Sequence, residues 1–113
     1  MFPAGMETWD LSTLDVQPHQ PEVLDSEREG RTIVIQLPAG EALDEHQVHE
    51  RAWLVVVNGE IELSLPGGET VTGGVGLLAQ FDPNERRVVR ATSDARLLLL
   101  LSPWPGEGHP SQR

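Results

Sequence analysis

From Thr32 onward the chain is a succession of short segments in which apolar residues recur at every second position, and no window holds the 3.6-residue period of an amphipathic helix. Residues 32–37 put Ile33, Ile35 and Leu37 on one face and Thr32, Val34 and Gln36 on the other. Residues 60–65 do the same, with Ile61, Leu63 and Leu65 inward and Glu60, Glu62 and Ser64 outward. Between them, 53–57 is a β-branched apolar run that reads as a strand buried on both faces. It leads into Asn58-Gly59, the strongest short turn signal in the chain, which predicts an antiparallel hairpin of 53–57 with 61–65. Further strands are expected around Val71, at Leu77-Leu78, over 87–91 and over 95–101. Pro66-Gly67-Gly68-Glu69, Gly73-Gly74, Asp82-Pro83-Asn84 and Ser93-Asp94 punctuate them. Short strands at turn-separated intervals imply an all-β sandwich or barrel.

A length of 113 residues fits one domain, read here as an arm over 1–22, a packed domain over 23–102 and a loose Gly/Pro tail over 103–113. Trp9-Asp10-Leu11 is the arm's expected anchor. No apolar run approaches the ~20 residues of a membrane span. The first residues lack the basic and apolar regions of a secretory leader, so the expected address is the cytoplasm. Absences narrow the chemistry further. Without cysteine there are no disulfides, thiolate nucleophiles or Cys-based zinc sites. Without tyrosine there is no phenolic acid or base. All 8 basic residues are arginine, which excludes Schiff-base lysines and Walker-type phosphate lysines. A net charge of −10 argues against nucleic-acid binding. Charge is uneven as well: residues 1–30 hold seven acids and only Arg28, while 81–113 hold four acids and five arginines. The acidic arm is therefore either solvated or laid against Arg86, Arg87 and Arg90, in the same subunit or a partner.

Gly40, followed at matching spacing by His46 and closed by Gly59, resembles the first motif of the cupin superfamily, of small single-domain RmlC-like type. Gly76 opens a counterpart of the second motif, with Asp82, Asn84 and Arg87 where the family expects proline, glycine and histidine. The resemblance covers about 23–102 and implies a double-sheet jelly-roll barrel, also called a double-stranded β-helix. It also implies a metal held by three histidines and a glutamate. Those four positions read His46, Val48, Ala52 and Arg87 here. Valine and alanine donate nothing, and a guanidinium cation opposes a metal, so no resident metal is expected. The alternative is a divalent transition metal held by His46, His49 and Glu50, which needs a bulge because His46 and His49 face opposite sides of a regular strand.

Continued as one strand, the first motif directs His46, Val48, Glu50, Ala52, Leu54 and Val56 inward and Gln47, His49, Arg51, Trp53, Val55 and Val57 outward. By the resemblance, Arg87 projects towards His46 and Glu50, and Glu50 is the nearest counter-ion unless a ligand carboxylate takes that place. The expected cavity is lined by His46, Glu50 and Arg87, with walls from Leu54, Val56, Leu63 and part of 97–101. The function expected from it is non-catalytic binding or sensing of a small anionic molecule. Two alternatives stand beside it: a metal-dependent dioxygenase or isomerase built on His46 and His49, and a structural dimer without ligand. A homodimer is expected through the apolar face of Trp53, Val55 and Val57, with the Trp9 arm crossing to the partner. His19, His109 and Trp104 carry no assigned chemistry. Gly73-Gly74-Val75-Gly76 lacks the helix and lysine of a phosphate loop.

Overall fold

A computed structural model describes residues 6–27, 30–46, 50–65, 67–83 and 85–102, the side chains of 27 and 44–46 excepted. Among these residues there are nine strands and no helix, hence none long and apolar enough to cross a membrane. The strands are β1 (Glu22–Glu27), β2 (Gly30–Leu37), β3 (Ala42–His46), β4 (Arg51–Asn58), β5 (Ile61–Ser64), β6 (Thr70–Gly73), β7 (Leu78–Phe81), β8 (Arg87–Ala91) and β9 (Ala95–Ser102). They form a five-stranded sheet, β1-β2-β9-β4-β7, and a four-stranded sheet, β3-β8-β5-β6. All named pairings are antiparallel.

The alternation read from the sequence sets the core. Ile35, Leu37, Ala52, Leu54, Val56, Leu97, Leu99 and Leu101 meet Ile61, Leu63, Val89 and Ala91 across the two sheets in a single apolar cluster. Burying such side chains is worth about 1.5–3 kcal/mol each for the larger ones, and this supplies the force that closes the sandwich. Burial along 51–58 alternates, so Trp53, Val55 and Val57 are half-buried on the outer face rather than covered on both sides.

The expected hairpin is not there. β4 pairs with β9 and β7, whereas β5 pairs with β8 and β6, so Asn58-Gly59 carries the chain from one sheet to the other. Gly59 takes φ +81°, and a Cβ there would run into the backbone carbonyl of Asp94 and lie 2.7 Å from the Ala95 Cα. Asn-Gly fixes the sharpness of a turn; which strand lies across it is decided by burial on both sides. A second correction follows from the same topology. Residues 46–56 are not one strand: His46 ends β3 in the four-stranded sheet and Arg51 opens β4 in the other, with Glu50 at a bend between them.

The arm is attached, and not by Trp9, which is 41% exposed. Its buried side chain is Val16, and Val34 of β2 is fully covered although it lies outside the main core. Arg96 ties the arm down: its guanidinium donates to the carbonyls of Leu14 (2.6 Å) and Leu11 (3.1 Å) and to Gln36 Oε1 (2.9 Å). Pro18 bridges Gln36 in parallel, and Gln17 bridges Gln20 around a tight turn with His19 at φ 66°. The acids with described side chains, Glu7, Asp10, Asp15, Glu22 and Asp25, are exposed, in line with the solvated alternative, while the arm's backbone carbonyls are held by Arg96. The tail, with Trp104 and His109, lies outside the described residues.

Candidate functional site

The strand registers give the barrel two unlike ends. At one, Asn58, Gly59, Ser93, Asp94, Ala39 and Gly40 come together. At the other, Arg31, Glu50, Arg51, Phe81, Asp82 and Arg87 do, because Arg31 pairs with Leu101, Leu101 with Ala52, and Ala52 with Phe81. His46 is the register partner of Arg87 across β3 and β8, so both lie at this second end.

Arg87 is the buried charged residue of this end, 5% exposed, and its guanidinium carbon lies 4.6 Å from the centre of the Phe81 ring. Such a stack contributes up to about 2 kcal/mol when desolvated. Burial lowers the Arg87 pKa and the negative charge of Glu85 raises it, which leaves the group charged at any working pH. Glu85 is itself held in place: its Oε1 accepts the Asp82 backbone N–H at 3.0 Å.

Glu50 is not the partner expected for Arg87. Its Oε2 accepts from Arg31 Nη2 at 2.9 Å. The cause is the sheet order. Arg31 and Ala52 flank the same Leu101 from two sides, so their long neighbours meet over it. The pair is only partly sheltered, with side chains 42% and 22% exposed. Beside it Arg51 Nη1 donates to Asp82 Oδ1 at 2.9 Å.

The four positions at which the resemblance implies a metal can be compared with this geometry. Ala52 is fully buried and offers a methyl group, and Arg87 offers a cation; neither donates to a metal. Val48 and His49 lie outside the described residues, as does the side chain of His46. The donor set does not fit the family's metal, and no chemical step is derived through one. In the alternative set Glu50 is committed to Arg31. Among the described residues no three His, Cys, Asp or Glu cluster in a way that could hold a metal ion.

Of the expected apolar walls, Leu54, Val56 and Leu63 are all buried. Leu63 reaches a cavity of about 270 Å³ between the facing edges of β6 and β7. Its walls include Leu65, Val71, Leu77, Ala79 and Phe81, with Glu69 and Glu85 as its acidic members. Sequence reasoning missed these residues. The signal available was thin: a phenylalanine just before Asp82-Pro83, at the end of a strand that lies at the edge of its sheet among the described residues. His19 is exposed, and its Nε2 lies 3.1 Å from Glu41 Oε1.

Solved structures share this architecture. An RmlC-like cupin protein from Desulfovibrio desulfuricans superposes with a TM-score of 0.76 at 20% identity, over 86% of this chain and 96% of that one. An RmlC-like cupin family protein with a double-stranded β-helix fold, from Methanocaldococcus jannaschii, gives 0.76 at 18% identity over 97% of each chain. A conserved protein of unknown function from Streptococcus pyogenes gives 0.72 at 17% identity over 90% of each. No family model and no curated protein sequence matches the chain. The chain has the fold of the small RmlC-like cupins, all-β and built from two antiparallel sheets. Fold alone assigns no activity.

Proposed function

We propose that this protein is a non-catalytic cupin that binds or senses a small anionic molecule, with Arg87 standing where the family places a metal. The observation that carries the reading is the buried Arg87 guanidinium, stacked on Phe81 and aligned in register with His46. A fixed cation in a low-dielectric barrel selects a carboxylate more strongly than the same group at the surface. Five N–H donors let it receive a ligand beside its existing contacts. No tyrosine, cysteine or lysine is present to serve as acid or nucleophile, which favours binding over catalysis.

The test uses thermal unfolding against a panel of small carboxylates, with elemental analysis of the same preparation. A carboxylate at 100 times its Kd stabilises by about 2.7 kcal/mol. The shift is expected in the wild type and absent in Arg87→Leu. Equal shifts in both proteins, or stoichiometric transition metal that His46→Ala removes, overturn the reading.

Assembly belongs to the same proposal. On the outer face of the five-stranded sheet, Val34, Leu98, Val55 and Leu78 lie in one register row, and Leu100 and Trp53 in the next. The arm is held by Arg96 of β9 and bridges Gln36 of β2, and Leu78 at the far edge of this face remains 60% exposed. A second copy, meeting this face about a two-fold axis, covers the remainder. Light scattering at micromolar concentration is expected to give a dimer for the wild type and a monomer for Val55→Glu. A wild-type monomer overturns it.

A further inference from the structure

The outer face of the five-stranded sheet is not level. Burial along β9 alternates, so Ala95, Leu97, Leu99 and Leu101 enter the core while Arg96, Leu98 and Leu100 take the other side. At the Arg96 end the guanidinium holds the carbonyls of Leu11 and Leu14, and the arm stands as a ridge on this face. Met6 and Trp9, which precede that anchorage, are large apolar residues left exposed. At the Leu100 end the face sinks. Leu100 pairs with Thr32 on one side and Trp53 on the other, and these three line a hollow of about 340 Å³ whose charged members are Arg31 and Asp25. Arg96 and Leu100 are four residues apart on β9, roughly 13 Å, and the row of Val34, Leu98 and Val55 lies midway between ridge and hollow.

A face raised at one end and sunk at the other fits its own copy in one sense only. With the strands of two stacked copies running the same way, ridge meets ridge and hollow meets hollow. With the two-fold axis along the Leu98 row the strands run oppositely, and each ridge faces the other copy's hollow, twice over, as an isologous contact requires. We infer that the arm of one copy docks in the hollow of the other, with Trp9 of the first against Thr32, Trp53 and Leu100 of the second. Burying the indole there removes a large apolar surface from water and brings two aromatic rings together. Charge agrees with this choice of occupant: Glu7 and Asp10 flank Trp9, and Arg31 of the hollow keeps a partly exposed side chain. The inference deepens the assembly part of the proposed function and rests on its dimer through this face, adding the residues by which one copy recognises the other.

The experiment measures the dimer Kd by light scattering over a dilution series of the full chain, as wild type, Trp9→Ala and Thr32→Arg, with thermal unfolding to show that each variant is folded. Trp9→Ala truncates an exposed side chain, and Thr32→Arg fills the hollow; Thr32→Gln, a smaller block, replaces it should it not fold. Each is expected to weaken the dimer about tenfold or more. The two variants are then mixed in equal amounts. A mixed pair keeps one intact contact, Trp9 of the Thr32→Arg chain in the open hollow of the Trp9→Ala chain. Dimer is therefore expected to return at a concentration where each variant alone is monomeric. A wild-type dimer that Trp9→Ala leaves unchanged overturns the docked arm and leaves the dimer through the Val55 face standing. Loss of the dimer in both variants without recovery on mixing also overturns it, because Trp9 then acts within its own chain. A wild-type monomer overturns both readings.

Discussion

The two ends of the barrel are built on different principles. At the end holding Gly59, turns are fastened by short bonds to fixed groups. The Ala39 N–H donates to Asp94 Oδ1 at 2.8 Å, the Glu60 N–H to Ser93 Oγ at 3.0 Å, and the Gly40 N–H to the Ala91 carbonyl at 2.8 Å. At the end holding Arg87, the contacts are ion pairs between long side chains and a cation on an aromatic face. The first end stores stability in backbone geometry. The second gathers charged side chains, and its partly exposed pairs contribute little to folding.

Substitutions can break that contrast. The largest effect is expected from Gly59→Val, which combines a left-handed backbone with a Cβ driven into the Asp94 carbonyl; it should cost about 3 kcal/mol or more in urea unfolding. A loss below about 1 kcal/mol would mean that the turn relaxes freely and the end is not locked. Asp94→Ala removes the acceptor of the Ala39 N–H and is expected to cost about 1 kcal/mol by the same measurement. Glu50→Gln should cost about 0.5 kcal/mol, and less in high salt, because its pair with Arg31 is half open to water. A loss of about 3–5 kcal/mol would instead mark a buried partner of Arg87.

The smallest effect concerns the arm. The hydroxyl and N–H of Ser12 bond to Asp10 Oδ1 and hold this carboxyl below its ordinary range. A folded pKa below the unfolded one means that the contribution is present above the unfolded value and lost as pH falls through the folded value. Titration of the Asp10 carboxyl by NMR should therefore show a depressed midpoint. An ordinary midpoint would mean that the Asp10 turn is not formed.

Much of the fold was legible because half-buried strands write their faces into alternation. Residues 61–64 follow in burial the period of two that their sequence shows, 32–37 do so except at the buried Val34, and 87–91 and 95–101 alternate in burial although their sequences do not. β1 and β3 were not legible: 22–27 and 42–46 are rich in acids and carry no clean alternation, and the partner of β3 is β8, far along the chain. The Asn58-Gly59 turn was visible, but its far side depends on Asp94, which no local window contains. In the arm, Val16 is one apolar residue in a polar context, and only Val34 gives it meaning. At the charged end, it was the family resemblance that set Arg87 towards His46, its register partner. It could not choose between Arg31 and Arg87 for Glu50, because that choice is made by the order of strands across the sheet.

β9 lies at the centre of the five-stranded sheet, between β2 and β4, and it is the last strand of the barrel in the chain. During synthesis, β2 and β4 therefore emerge with their facing edges bare, and neither can close until residues 95–102 have left the ribosome. Nearly every pairing that completes the barrel joins distant parts of the sequence, the kind of topology that folds in milliseconds to seconds rather than microseconds. A nascent chain halted before Ala95 is a set of unfinished edges, open to pairing with other chains. Its exposure to aggregation is set by the time taken to translate the last strand.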